Sequence, residues 1–237
     1  MKSFLTGLCI AFLISWCPSH QPDVAAFEDY LSDIKNELKK EWPANKTINL
    51  VFHGHSVPAG YFKTPVVNTM DAYPMQVFAQ LKTNYPLAVI NVINTSIGGE
   101  NSEHGQKRFR KDVLSHRPDV IFIDYALNDR GIGLSKAKKA WSAMIRAALN
   151  KHCKVILLTP SPDQRDDILD THTELQQHAD QIIELAKEFN VGLIDSYGIF
   201  KKQVEAGIPL PSMMSQVNHP NKKGHELIAN EIMRYFN

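Results

Sequence analysis

The sequence has little cysteine, no apolar run long enough to cross a bilayer, and almost no net charge. Its three cysteines are Cys9, Cys17 and Cys153, and the first two fall in an amino-terminal stretch that reads as a removable leader. A lone Cys153 in the mature chain excludes an internal disulfide, so stability in an oxidising compartment has to come from the core. Next to the apolar run Val155–Leu158, Cys153 is expected to be a buried small hydrophobe. The leader's uncharged, largely apolar segment, Phe4 to Cys17, counts fourteen residues, short of the roughly 20 that a span needs. Preceded by Lys2, it has the makeup of an export signal, which predicts a periplasmic or extracellular protein. Small residues at Cys17-Pro18-Ser19 and at Val24-Ala25-Ala26 both offer cleavage points, so residues 1–26 are set aside as leader and 27–237 taken as one domain. Lipid attachment at Cys17 is an alternative that the bulky Trp16 disfavours. The formal charge of +1 leaves no basic stripe for nucleic acid, and the lysine pairs at 39–40, 138–139 and 222–223 read as solvated helix faces.

Apolar periodicity supplies the rest of the frame. Phe27, Leu31, Ile34 and Leu38 recur at helical spacing over 27–40, and Trp42-Pro43 closes that helix. Short β-branched runs predict strands near 48–53, 87–94, 119–125, 155–159 and 191–195. Between them, helical patterns cover 70–84, a segment ending near 116, 134–150 and 171–189, with a closing helix at 221–236. Their inward positions are expected at Met75, Phe78, Ala79 and Leu81, at Ala137, Trp141, Met144, Ile145 and Ala148, and at Leu175, Ile182, Ile183 and Leu185. Strands alternating with helices, with near-continuous apolar strands and no repeat, predict an α/β fold: one doubly wound parallel sheet of about five strands, covered on both faces.

Polar groups gather where the strands end. Gly54 breaks the first strand just before Ser56, at the carboxyl edge where open parallel sheets keep their chemistry. The loop after the second strand carries Gly98-Gly99, the one after the third carries Asn128, and His219 lies just ahead of the last helix. Acyl transfer by a serine needs a base within reach of the hydroxyl and donors aimed at the oxygen that becomes negative. Ser56 with His219 supplies the first requirement. The backbone N–H groups of Ser56 and Gly99 and the side-chain amide of Asn128 supply the second. A glycine suits position 99 because the backbone must approach the substrate closely.

These residues carry a resemblance. Gly54-His55-Ser56-Val57-Pro58-Ala59-Gly60-Tyr61, Asn94-Thr95-Ser96-Ile97-Gly98-Gly99, Leu127-Asn128-Asp129 and Gln216-Val217-Asn218-His219-Pro220-Asn221 resemble, in order, the four sequence blocks of the SGNH (GDSL-type) hydrolases. The resemblance implies a flavodoxin-like three-layer α/β/α fold, esterase, lipase or deacetylase activity, and no metal or organic cofactor. It implies Ser56 as nucleophile, His219 as base, and Gly99 and Asn128 as oxyanion residues. Three positions depart from the family pattern. His55 stands where Asp is usual, Ala126 where Gly is usual, and Gln216 replaces the Asp that orients the catalytic histidine. A Ser56–His219 dyad is therefore expected, with Gln216 accepting from the imidazole without the charge. A compensating acid is sought at Asp124, which the implied strand order brings near His55, or at Asp129, Asp163 or Asp195.

Other chemistries fit less well. A metal site built on His53-x-His55 with His104, His219 and His225 is disfavoured because alternate residues of an extended segment face opposite ways. A flavin site lacks its hydroxyl-rich phosphate cradle. The sequence thus predicts an exported serine esterase for short acyl groups, most readily acetyl, on a small-molecule or carbohydrate alcohol. The alternatives are a weakly active glycan-binding module and a lipid or aryl ester hydrolase of the same fold. Tyr61, Phe62 and Arg130 fall near the expected site.

Overall fold

The computed structural model describes residues 23–237. The export signal read over Lys2–Cys17 and the cleavage point at Cys17-Pro18-Ser19 lie outside the described residues. Val24-Ala25-Ala26 lies within them: Val24 packs against the core, and Ala25 N–H donates to Val191 O (3.2 Å).

Five parallel strands form the central sheet: β1 (Thr47–Gly54), β2 (Val89–Asn94), β3 (Val120–Asp124), β4 (Lys154–Leu158) and β5 (Gly192–Ile194), in the order β2-β1-β3-β4-β5. β1 is therefore flanked by β2 and β3, with Phe52 opposite both Asn94 and Phe122 and Gly54 opposite Asp124. β3 is buried at every residue, whereas β2, at the sheet edge, is exposed at Val89, Asn91 and Asn94. A doubly covered strand has no wet face, so its apolar run is unbroken.

Side chains leave each strand on alternate faces, and each face has its own core. Leu50, Phe52, Val120, Phe122, Ile156 and Leu158 point to one side. There they meet α1 (Ser32–Leu38), α3 (Tyr73–Asn84), α8 (Ser196–Glu205) and α9 (Lys222–Met233). Val51, Ile121, Ile123, Val155 and Leu157 point to the other, against α4 (Ser102–Asp112), α6 (Leu134–Leu149) and α7 (Glu174–Phe189). The result is the α/β/α three-layer architecture anticipated from the sequence. Cys153 is buried beside the second core.

Several local expectations change. The first helix is confined to Ser32–Leu38, with the preceding residues in turns. In α3 the inward stripe is Tyr73, Val77 and Leu81, while Ala79 is exposed and Met75 and Phe78 are half covered. Spacing by four from Tyr73, not from Met75, decides the buried face. Ile183 in α7 is also only half covered. α8, with Tyr197 and Phe200 buried, is not among the helices that periodicity predicts. Nor are two short helices at the strand ends, α2 (Ser56–Ala59) and α5 (Ala126–Asp129). A two-stranded hairpin of β6 (Met214–Gln216) and β7 (His219–Pro220) is a further addition. Among the described residues no helix is long and apolar enough to cross a membrane.

Among the described residues His53, His55, His178 and His225 are buried, and His53 and His225 carry the large pKa shifts. His53 bonds Thr95 Oγ1 (2.9 Å) and the Gly105 carbonyl (3.2 Å), and His225 Nδ1 accepts from Tyr73 N–H (3.3 Å). Burial is the main cause that lowers each to about 3, with Arg108 adding to it at His53 and His219 at His225. Below the ordinary value of 6.5, the unfolded chain takes up protons that the folded chain refuses until about 3. Stability is therefore expected to fall as the pH drops through that window, by about 1.4 kcal/mol per pH unit for each fully linked histidine. Urea midpoints measured between about pH 7 and pH 5, before most carboxylates titrate, check this. His225→Gln is expected to flatten the slope.

Candidate active site

At the carboxyl end of β1 the backbone of β3 presses so closely that a Cβ on Gly54 would collide with the Asp124 carbonyl and stand 2.8 Å from Pro58 Cγ. Without that Cβ, His55 N–H donates to Asp124 O (3.2 Å), and the chain turns directly into α2. Ser56 is its first residue. The imidazole of His55 caps it, Nδ1 accepting the Val57 N–H at 3.2 Å. Ser56 is 7% exposed, its hydroxyl at the edge of the sheet.

His219 arrives from the far end of the chain. The β6–β7 hairpin pairs Gln216 with His219 and turns the imidazole onto the serine, Nε2 standing 2.8 Å from Ser56 Oγ. Ser215 Oγ donates to the His219 carbonyl (3.0 Å). Asn221 caps α9 through Gly224 N–H (3.1 Å). From the loop after β4, Gln164 donates its N–H to Val217 O (2.8 Å) and its Nε2–H to Gln216 O (3.1 Å). Gln216 Nε2 lies 2.5 Å from His219 Nδ1, and Gln216 Oε1 accepts from Thr64 N–H at 3.2 Å. The His219 pKa is lowered, chiefly by burial and next by His55, with the Phe62 carbonyl opposing both.

The other two loops are tied to the first. Ile97 N–H donates to Gly54 O (3.0 Å), and Asn128 Nδ2 donates to Glu100 O (2.9 Å), its second amide hydrogen having no acceptor among the described residues. Gly99 adopts φ +77° with open space where a side chain would start. Among the described residues nothing accepts its N–H. Glu100 is anchored by Arg108 Nε (2.8 Å) and the Tyr125 hydroxyl (2.7 Å), residues that no sequence motif singles out. Asp129 ties α4 to α5 by accepting from Ser102 N–H (2.8 Å) and Trp141 Nε1–H (2.7 Å). Burial raises its carboxyl above the ordinary value against the pull of those donors.

The acids at the strand ends divide by partner. Asp124 shares the first core's face with Tyr73, whose hydroxyl donates to Oδ2 at 3.0 Å. Its Oδ1 stands 3.2 Å from His55 Nε2. Burial and Asp124 together push the Tyr73 hydroxyl far above its ordinary pKa. None of the other candidates bonds an imidazole at the serine. Asp195 caps α8 at Gly198 N–H (3.0 Å) and accepts from Thr159 Oγ1 (2.9 Å). Asp163 is enclosed by Arg130 and Arg165, whose hydrogen bonds outweigh burial and hold it at about 2. Arg130 is thus committed to Asp163 and Asp166 and is not a free group for substrate. Tyr61 is 39% exposed, 6.2 Å from the His219 ring. It sits over Gly98, where a Cβ would stand 2.7 Å from its ring. His53 points away from His55 into the second core, against Phe109 and Tyr125.

The profile of the GDSL-like lipase/acylhydrolase family matches residues 52–227. The acetylxylan esterase of Geobacillus stearothermophilus is 23% identical over 174 residues, spanning 68% of this chain and 79% of its own. The solved structure of that esterase superposes with a TM-score of 0.70 at 20% identity, over 80% of this chain and 94% of the other. A two-domain esterase active on acetylated mannans, crystallised with mannopentaose, gives 0.72 at 22% identity, over 91% of this chain and 54% of that one. At these identities the structural likeness speaks for the fold.

Asp129→Ala would strand two buried donors, the Ser102 N–H and the Trp141 indole. A loss of about 2–4 kcal/mol in unfolding free energy is expected, read as a lowered urea midpoint at neutral pH.

Proposed function

Since the chain belongs to the GDSL-like lipase/acylhydrolase family and is a carboxylic ester hydrolase, we propose that it is an exported serine esterase removing short acyl groups, acetyl first, from a carbohydrate alcohol. The observation that carries this reading is the 2.8 Å approach of His219 Nε2 to Ser56 Oγ at the carboxyl end of the sheet.

In the proposed reaction His219, with its proton on Nδ1, takes the hydroxyl proton as Ser56 Oγ attacks the ester carbonyl. The carbonyl electron pair moves onto oxygen, where the N–H groups of Ser56 and Gly99 and the free amide hydrogen of Asn128 stabilise it. On collapse His219 returns the proton to the departing alcohol. Water then repeats the sequence on the acyl-serine and releases the acid. Because His219 must reach the alcohol oxygen, Tyr61 stands on the leaving-group side. An exposed aromatic face there suits a sugar ring. The acetyl preference draws on the acetylxylan esterase relative, and export on the apolar segment after Lys2.

Hydrolysis of p-nitrophenyl acetate through octanoate, with acetylated xylan and mannan, tests the reading. Acetyl esters should be preferred, and Ser56→Ala should abolish turnover while leaving the fold intact. Full activity in Ser56→Ala would overturn the mechanism, and preference for octanoate would favour a lipid substrate instead. Asn128→Ala should cost on the order of 10²–10³ in kcat. Since burial lowers His219, its neutral form persists below the ordinary value. The acid limb of kcat/KM against pH should accordingly have its midpoint below 6.5.

A further inference from the structure

Two imidazoles meet at the serine, and they are backed differently. His219 Nε2 stands 2.8 Å from Ser56 Oγ and is backed by the neutral amide of Gln216. His55 Nδ1 stands 3.5 Å from the same oxygen and is backed by the Asp124 carboxylate. Which nitrogen of each ring carries a proton is set by two backbone N–H groups, because a backbone N–H can only donate. Val57 N–H points at His55 Nδ1 (3.2 Å), so that nitrogen offers a lone pair and the ring proton sits on Nε2, facing Asp124 Oδ1. Both atoms are buried and neither completes a hydrogen bond among the described residues, so the 3.2 Å pair is a close approach without hydrogen-bond alignment.

Thr64 N–H points at the Gln216 amide at 3.2 Å, so the amide atom there is the oxygen. The amide nitrogen is then the atom 2.5 Å from His219 Nδ1, where it donates. A neutral His219 whose Nδ1 accepts carries its proton on Nε2 and donates it to Ser56 Oγ. The serine hydrogen turns to His55 Nδ1 at 3.5 Å, sharing that nitrogen's one lone pair with Val57 N–H. Every donor in the series runs one way, from Thr64 through Gln216, His219 and Ser56 to His55, whose Nε2 lies 3.2 Å from Asp124 Oδ1.

We propose that Gln216, clamped by Thr64 N–H, is a positioning residue that holds resting His219 in the tautomer that donates to Ser56 rather than the one that accepts from it. This rests on Ser56 being the nucleophile and His219 the base. Arming the site requires two linked changes. The amide turns so that Oε1 faces Nδ1, releasing Thr64 N–H, and the half-buried ring loses one proton from Nε2 to solvent and gains one at Nδ1. The proton count of the ring is unchanged. The segment that must yield is the short bridge of Tyr61 to Val67 carrying Thr64, which also brings the Phe62 carbonyl to the imidazole. A substrate displacing that bridge would arm its own hydrolysis. The restraint is peculiar to an amide at 216, since a carboxylate has no hydrogen to give Nδ1 and accepts from it in either orientation.

Proton-detected ¹⁵N spectra of the histidine side chains read the tautomer without turnover. The titratable and charged neighbours of His219 in such a titration are His55, His225 and, behind His55, Asp124. Above the acid limb, wild-type His219 is expected to carry its proton on Nε2, and Gln216→Glu to move it to Nδ1. The same variant should react with a serine-directed phosphonate at least about tenfold faster than wild type, just as turning a triad acid into an amide slows a serine enzyme. A wild-type proton on Nδ1 overturns the proposal, and so does a folded Gln216→Glu that labels no faster. If the variant fails to fold, the wild-type tautomer alone decides. The underlying reading fails separately: Ser56→Ala would then still turn over ester, whichever tautomer is seen.

Discussion

The site depends on how closely two strands approach. β1 and β3 come together at Gly54 and Asp124 with no room for a side chain between backbone and backbone. That contact lets the His55 amide bond the Asp124 carbonyl and lets the chain turn at once into α2, so Ser56 emerges at the rim instead of continuing the strand. A residue larger than glycine at 54 would have to part the two central strands, each buried on both faces. The position of Ser56 thus depends on the packing of the whole sheet.

From that contact, backbone and side-chain hydrogen bonds lash loops to one another where no sheet ladder reaches. Ile97 bonds to Gly54, Asn128 to Glu100, Ser102 to Asp129 and Gln164 to Val217. Each is a modest interaction. In series they join the ends of four strands to the β6–β7 hairpin, so His219 meets Ser56 although 163 positions separate them. Preorganised donors lose little to reorganisation when charge develops, and a loop tied at both ends keeps its N–H groups aimed.

Charge in the site is distributed unlike the usual serine, histidine and aspartate arrangement. The carboxylate sits behind His55, under the serine, and an amide sits behind His219. Away from the site two further histidines are buried and held low, His53 in the second core and His225 in the first.

Much of this was legible in the sequence, because the signals involved are local. Alternating apolar strands and helices, a glycine ahead of Ser56, Gly99, Asn128 and an Asn-His-Pro before the last helix are patterns of near neighbours, and they determined the sheet, its covering on both faces and the ester-hydrolase family. The sequence also marked Gln216 and His55 as departures without saying what each would touch. Only the tertiary structure decided that Asp124 and not Asp129, Asp163 or Asp195 faces an imidazole, that Arg130 is consumed by Asp163, and that Thr64 holds the Gln216 amide. It also decided the inward face of α3, which turned on Tyr73 reaching Asp124 from the far side of the core. The reason is physical: apolar patterning fixes which face of an element is buried, whereas the partner of a buried polar group depends on which distant segment the packing brings within about 3 Å, and no local pattern encodes that.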